Sequence, residues 1–313
     1  MTLTATHPGF RHEVLLYAGE DDFALRTGDF VREAVEAGEA VLVVVGASKI
    51  SRLRELLGPD GRAVHFVDMS RVGRNPARII SVWHEFVANH APRAAALRGV
   101  GEPVDAARDA ASLVECERHE AVLNVAFDDE VPWSLLCPYD TDTLAPAVIE
   151  EALRNHPYVR NGGSRVNPEY RGRAACAAPS DHVLPQPPPG ARTFAVALEA
   201  LHDLRETVGR HAARHGFDGQ RVDGFVLAVH ELATNSIRHG GGGGKLRLWG
   251  DETEIVAEVR DAGRIVDPLA GRIEPDLQAA SGRGLWLANQ LCDLVQIRAH
   301  TDGGVVRVHL RTN

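Results

Sequence analysis

The stretch His230-Glu231-Leu232-Ala233-Thr234-Asn235-Ser236-Ile237-Arg238-His239-Gly240, followed by Asp261-Ala262-Gly263 and Gly282-Arg283-Gly284-Leu285, decides how the last third of the chain folds. Glu231 and Asn235 lie four residues apart in a segment that reads as helix, so both project from one face about one turn from each other. An Asn carbonyl gives a hard cation such as Mg²⁺ an uncharged oxygen ligand. A carboxylate beside it can polarise a hydroxyl or water that attacks a γ-phosphate. Asp261 follows the apolar run Ile255–Arg260, which puts a carboxylate at a strand end where it can accept from an amino group. Gly263 lets a flat base approach the backbone. The glycines at 282 and 284 precede a clean apolar helix, and a helix N-terminus entered by flexible backbone is a phosphate site. Taken singly, each pattern also occurs on solvated helix faces and in ordinary glycine turns. Their order and context together point to Mg-ATP bound without a P-loop.

Around these segments the spacing predicts helices near Ala195–His215 and Asp223–His239, then strands Lys245–Gly250 and Glu254–Arg260. A long irregular stretch, a helix from Gly284 to Cys292, and strands Leu294–His300 and Val305–Arg311 complete the half. Two helices, a hairpin, a third helix and a second strand pair imply an α/β sandwich with an antiparallel or mixed sheet. The run Gly240–Gly244 reads as a helix cap and flexible turn. His239 before it is a candidate phosphate contact or, equally, a histidine favoured at a helix C-terminus by the dipole.

Upstream, the stretch from Ala174 to Arg192 loses its apolar period, and Pro185-Gln186-Pro187-Pro188-Pro189-Gly190 favours extended polyproline II. The chain therefore divides into residues 1–173, a semi-rigid spacer over 174–190, and residues 191–313. In the first part, β-branched runs at Val14–Tyr17, Ala40–Val45 and Val64–Val67 alternate with helices near Asp22–Ala37, Ala77–Asn89 and Ala111–Phe127. A strand at Trp133–Cys137 and a helix near Leu144–Asn155 follow. Continuous apolar strands separated by helices predict a parallel sheet covered on both faces.

Composition narrows the function class. The formal charge is −9, and residues 191–313 carry 15 Lys+Arg against 16 Asp+Glu, so neither half is basic and a nucleic-acid surface is not expected. Cys116, Cys137, Cys176 and Cys292 are scattered without C-x-x-C spacing, which predicts neither a zinc ribbon nor a disulfide framework and fits a reducing cytoplasm. No signal segment and no membrane span are expected.

The pattern Glu231-x-x-x-Asn235, Asp261-x-Gly263 and Gly282-x-Gly284-Leu285 resembles the ATP-site boxes of the Bergerat-fold (GHKL, HATPase) ATPases. The wording of 231–240 with 282–287 is most similar to the bacterial anti-sigma-factor serine/threonine kinases. The resemblance implies Glu231 as general base, Asn235 as Mg²⁺ ligand and Asp261 with Gly263 at adenine. Gly282, Arg283, Gly284 and Leu285 would lie at the phosphates, with residues 264–281 as a mobile lid. Two positions depart from the family wording: Ile265 stands where a second glycine is usual, and Val305 where a threonine is common before the last strand.

Residues 10–173 resemble the MEDS sensory domain, a degenerate RecA-like α/β fold. The resemblance rests on His12, Gly38-Glu39, Glu115-Cys116-Glu117, Cys137-Pro138-Tyr139-Asp140 and His156-Pro157. There is no G-x-x-x-x-G-K-[ST], and the turn Ala18-Gly19-Glu20-Asp21-Asp22 is too acidic to cradle phosphate. His12, Tyr17, Glu102 and Tyr139 are candidates for a small-molecule sensory site, since polar groups at the carboxyl ends of parallel strands line the usual crevice. Structural roles in the core or at the surface are the alternative for each.

Together these features predict a sensory domain that controls a kinase-like ATP-binding domain. Its expected substrate is a serine or threonine of a STAS-type anti-anti-sigma partner, and the resemblance alone implies a homodimer. Alternatives are a non-catalytic ATP-binding switch that sequesters a sigma factor or other partner, a simple ATPase clamp, or a histidine kinase suggested by His230-Glu231-Leu232.

Overall fold

The computed structural model of the chain describes residues 9–127, 130–179, 182–276 and 282–312. Contacts divide the chain into two compact units, Met1–Ala177 and Ala178–Asn313.

The first unit runs β1 (Phe10–Tyr17), α1 (Gly19–Glu36), β2 (Ala40–Val45), α2 (Ala47–Leu57), β3 (Val64–Asp68), α3 (Met69–Val72), α4 (Ile79–His90), β4 (Leu97–Gly101), α5 (Ala110–Ala126), β5 (Trp133–Asp140), α6 (Pro146–Asn155), β6 (Tyr158–Arg160), β7 (Ser164–Val166) and α7 (Arg173–Ala177). The sheet order is β3-β2-β4-β5-β1-β6-β7. Every neighbouring pair is parallel except β6 with β7. Val41–Val45 are all buried, as a strand covered on both faces has to be. Helix α1 opens with Glu20, Asp21 and Asp22 at its positive end. It is closed by Gly38, whose φ of +71° only glycine adopts without strain.

Three strands of this unit were not foreseen from the sequence. In β4 the run Leu97-Arg98-Gly99-Val100-Gly101 is interrupted by glycines that weaken a strand pattern. The structure explains them: a Cβ on Gly101 would come 2.7 Å from the Trp83 ring, and one on Gly99 2.9 Å from Leu135 and 3.0 Å from Trp83. The glycines make room for the buried tryptophan. β6 and β7 are too short to show any alternation.

The second unit runs β8 (Arg192–Val196), α8 (Leu201–Arg214), α9 (Gly219–His239), β9 (Gly244–Gly250), β10 (Glu254–Asp261), α10 (Arg283–Leu291), β11 (Leu294–His300) and β12 (Gly303–Arg311). Its sheet, ordered β11-β12-β10-β9-β8, is antiparallel throughout. The helix expected from Ala195 instead begins at Leu201, because Ala195 and Val196 belong to an edge strand that pairs with Lys245 and Gly244. Alternation sorts the strands into two faces. Ile255, Ala257, Val259, Val306, Val308 and Leu310 face the helices and join Phe225, Val229 and Leu232 in one core. Glu254, Glu258, Arg307, His309 and Arg311 face the other way.

The 174–190 spacer is also corrected. Residues 173–177 form α7 within the first unit, and residues 182–187 lie on the polar face of the second unit's sheet. Arg298 Nε donates to the His182 carbonyl at 2.8 Å and an Arg307 guanidinium nitrogen to the Pro185 carbonyl at 2.8 Å. Proline-rich backbone has carbonyls but few N–H groups, so arginines supply the missing donors. Beneath this strap Glu258 accepts from Arg307 at 2.6 and 3.1 Å, and both side chains are buried. Glu258→Ala is expected to destabilise the second unit by about 3–5 kcal/mol, because it leaves a buried guanidinium without its counter-charge. Urea denaturation of the full chain, followed through Trp249 beside Arg307, measures this.

Candidate functional site

In the second unit a cleft of about 320 Å³ opens between α9, the start of α10 and the apolar face of the sheet. Leu232, Asn235 and His239 reach it from α9, and Val259 and Asp261 from β10. Gly263, Arg264 and Ile265 line it from the loop that follows, Gly282 and Leu285 from the start of α10, and Gly304 and Val306 from β12. Its walls are apolar, with one carboxylate at the strand end and the N-terminal turn of α10 at the far side. That is a shape for a flat heterocycle carrying an anionic tail.

The carboxylate is fixed by its surroundings. Asp261 Oδ1 accepts from the Gly263 amide at 2.8 Å, which leaves Oδ2 to face a ligand. A Cβ on Gly240 would fall 2.4 Å from the Asp261 carboxyl carbon, and one on Gly303 1.9 Å from the Asp261 carbonyl oxygen. The glycine run after α9 is therefore more than a flexible cap: Gly240, at φ −98°, is required for close approach and not for a left-handed turn.

At the other end Gly282 takes φ +95° as the residue before α10. It offers no side chain to cap the first turn. Gly284 presses on α9, where a Cβ would stand 2.7 Å from Asn235 Nδ2 and 3.2 Å from Glu231 Oε2. The structure thus gathers Glu231, Asn235, Gly282, Gly284 and Leu285 at one end and Asp261, Gly263, Gly240 and His239 at the other. Arg283 is exposed on the first turn of α10 and outside the cleft lining. Of the expected lid, residues 264–276 are described, and Asn289 Nδ2 donates to the Gly271 carbonyl at 2.8 Å; residues 277–281 lie outside the described residues.

Strand parity decides which β12 side chain reaches the cleft. Val305 lies on the polar face beside Arg307 and the strap, and it is Val306 that enters the cleft. The sequence reading also missed Leu232, Val259 and Arg264, although the alternation of β10 marks Val259 as inward-facing. His230 is only half-buried and outside the cleft lining; burial and then Arg205 lower its pKa against the pull of Glu231.

In the first unit the sensory candidates separate onto two faces of the sheet. Tyr17 donates to Glu102 Oε1 at 2.5 Å, and Lys49 Nζ donates to the Tyr17 hydroxyl at 2.6 Å and to Glu102 at 2.6 and 2.7 Å. Burial raises the Glu102 pKa against Lys49, and burial followed by the Glu102 charge raises that of Tyr17. His12 and Tyr139 lie on the opposite face, buried near His156. There burial and then the His156 ring push His12 down to about 4. Burial and then Glu120 raise Tyr139 and Cys137 well above their usual values.

Comparison with known proteins agrees with this division. The MEDS family (MEthanogen/methylotroph, DcmR Sensory domain) matches residues 11–157, and the histidine kinase-like ATPase domain family matches residues 194–310. The first unit therefore contains a MEDS domain and the second a histidine kinase-like ATPase domain, which implies ATP binding. Among solved structures, the RsbU and RsbW domains of a Mycobacterium tuberculosis protein match at 18% identity with a TM-score of 0.30. That match covers 40% of this chain and 33% of the other, so this chain spans about a third of its length. No curated protein matches the chain. No helix among the described residues is long and apolar enough to cross a membrane.

Gly240→Ala is expected to displace Asp261 and weaken ATP binding by about tenfold or more, near 1.4 kcal/mol. Gly190→Ala, with nothing within 4 Å of the added carbon, leaves affinity unchanged. Isothermal titration calorimetry of both variants distinguishes the outcomes.

Proposed function

We propose that the second domain binds Mg-ATP in the cleft between α9 and α10 and transfers the γ-phosphoryl group to a serine or threonine of a STAS-type anti-anti-sigma partner. The observation that carries this is the contact of Gly284 with Glu231 and Asn235. It brings the candidate base and the candidate metal ligand beside the N-terminus of α10, which supports the reading. On this reading Asp261 accepts the adenine amino group, and Leu232, Val259, Ile265 and Val306 sandwich the base. Asn235 would hold Mg²⁺ through its side-chain oxygen, and the ion would offset phosphate charge. Glu231 takes the proton of the attacking hydroxyl as the bond from its oxygen to the γ-phosphorus forms and the bond to the β-phosphate oxygen breaks. His239 and Arg264 line the cleft beside Asp261 and Gly263 and supply positive or hydrogen-bonding character to the nucleotide at that end. The serine-directed choice draws on the wording of residues 231–240 and 282–287, which resembles anti-sigma-factor kinases.

A second reading, an ATP-gated switch that sequesters a sigma factor or other partner without transfer, is favoured by Ile265. Its side chain occupies a cleft wall where the kinase pattern carries glycine. In either case the MEDS domain acts as the input, and a ligand or partner there changes the second domain only through different affinities for two states of the chain. Assembly as a homodimer belongs to the same proposal.

Incubation with γ-labelled Mg-ATP and a STAS-domain protein tests the kinase reading. Transfer is expected, with Glu231→Gln retaining ATP affinity while lowering the rate by about a hundredfold or more. Asn235→Ala is expected to abolish the Mg²⁺ dependence of ATP binding. Tight Mg-ATP binding with no transfer to any STAS partner would instead support the switch, and unchanged Mg²⁺ dependence in Asn235→Ala would remove the site assignment.

A further inference from the structure

The first domain buries four potential metal ligands together: His12 on β1, Glu120 on α5, Cys137 on β5 and His156 at the end of α6. One ligand atom from each lies within 4.8 Å of all the others, and none of the four residues is more than 1% exposed.

The hydrogen bonds around the cluster place the Nδ1 proton of both imidazoles. Asn124 Nδ2 faces the carbonyl oxygens of Asn155, Ala121 and Glu120 at 2.8, 3.0 and 3.3 Å, so its Oδ1 is the atom turned to His12. His12 Nδ1, 3.2 Å from that oxygen, must donate to it. His156 Nδ1 lies 2.7 Å from the Ala152 carbonyl, which can only accept. Each ring therefore turns its Nε2 to the centre of the cluster, and both Nε2 atoms approach Glu120 Oε2 at 3.1 Å. Cys137 Sγ is 3.3 Å from His12 Nε2. His156 Nε2 and Glu120 Oε1 are buried without a hydrogen-bond partner. Two imidazole Nε2 atoms, a carboxylate and a thiol converge in the buried interior, so the Glu120 charge has to be offset there, by protons on Nε2 or by a bound cation.

We propose that His12 Nε2, His156 Nε2, the Glu120 carboxylate and the Cys137 sulfur bind a borderline divalent transition metal, zinc in preference. Ligand atoms about 2.0–2.3 Å from a tetrahedral zinc stand roughly 3.3–3.6 Å from one another; Glu120 Oε2 to each Nε2 and His12 Nε2 to Cys137 Sγ are already 3.1–3.3 Å apart, and the other pairs lie within 4.8 Å. On binding, the Cys137 thiol releases its proton to solvent and its sulfur bonds the metal, the rings bind neutral, and Glu120 binds as carboxylate. Two anions then offset the dication in a water-free interior. The outer contacts, Nδ1–H to Asn124 and Nδ1–H to the Ala152 carbonyl, are those that orient metal-bound histidines. With four protein ligands the site is closed. It ties two strands and two helices of the sensory domain together, so metal occupancy sets that domain's stability.

The test is anaerobic titration of the purified, chelator-stripped full-length chain with Co²⁺, whose spectrum reports ligand type and geometry. Uptake of about one cobalt per chain is expected, with tetrahedral visible bands and a thiolate-to-cobalt charge-transfer band. The charge-transfer band disappears in Cys137→Ser and persists in Cys292→Ser. Asn124→Ala weakens binding by about 10–100-fold. A folded wild-type chain that takes up neither Co²⁺ nor Zn²⁺ overturns the proposal and leaves the cluster held by a shared proton. A cobalt spectrum without the thiolate band, or one that keeps the band in Cys137→Ser, overturns it as well. Should Cys137→Ser fail to fold, the wild-type spectrum and the Asn124→Ala affinity decide the matter.

Discussion

The second domain depends on backbone free of side chains around Asp261. Gly240, Gly244, Gly263, Gly303 and Gly304 converge there, and a Cβ at any of them would meet a neighbouring atom at 3.0 Å or closer. This lets the end of α9, the end of β10 and the start of β12 come close enough for one carboxylate to stand at the head of an apolar cleft. The orientation of Asp261 follows, as does the depth of the cleft and the position of Asn235 on the same helix that Gly240 ends. A similar approach of Gly284 to Glu231 and Asn235 sets the other wall. The two ends of the cleft are thus placed by absences of side chains, at the cost of the conformational freedom glycine loses on folding.

Much of this was legible because the motif residues lie close together in sequence on elements of strong period. Glu231 and Asn235 share one helix, and Gly282–Leu285 leads directly into another. Less legible was anything decided by contacts between distant segments. Ala195 fits a helical pattern, but β9 offers it an open strand edge, and pairing there overrides local preference. Gly99 and Gly101 weaken the local signal of β4 for the benefit of Trp83, which lies more than a dozen residues earlier. Which of Val305 and Val306 meets the cleft is a matter of register, since one residue's shift moves a side chain to the other face of a sheet.

The sensory domain shows the same limit more sharply. His12, Cys137 and His156 stood out in the sequence, yet nothing linked them until β1, β5 and α6 were folded against α5. Glu120, which completes the cluster, sits among other acids of the same helix and carried no local mark. Tyr17 and Glu102 belong elsewhere: with Lys49 they form a self-satisfied ionic network whose polar atoms are already paired. The domain holds two buried polar centres on opposite faces of one sheet, an expensive arrangement that a purely structural core would not require.

On the proposed function, Asp261 recognises adenine through its exocyclic amino group, an acceptor facing a donor. Competition between ATP and GTP for the full-length chain, measured with Mg²⁺ present, tests it most directly, since guanine offers a carbonyl where adenine offers the amine. The account predicts that ATP is bound about tenfold or more tightly than GTP and that Asp261→Ala erases the preference. Equal affinity in the wild type, or a preference that survives Asp261→Ala, contradicts it.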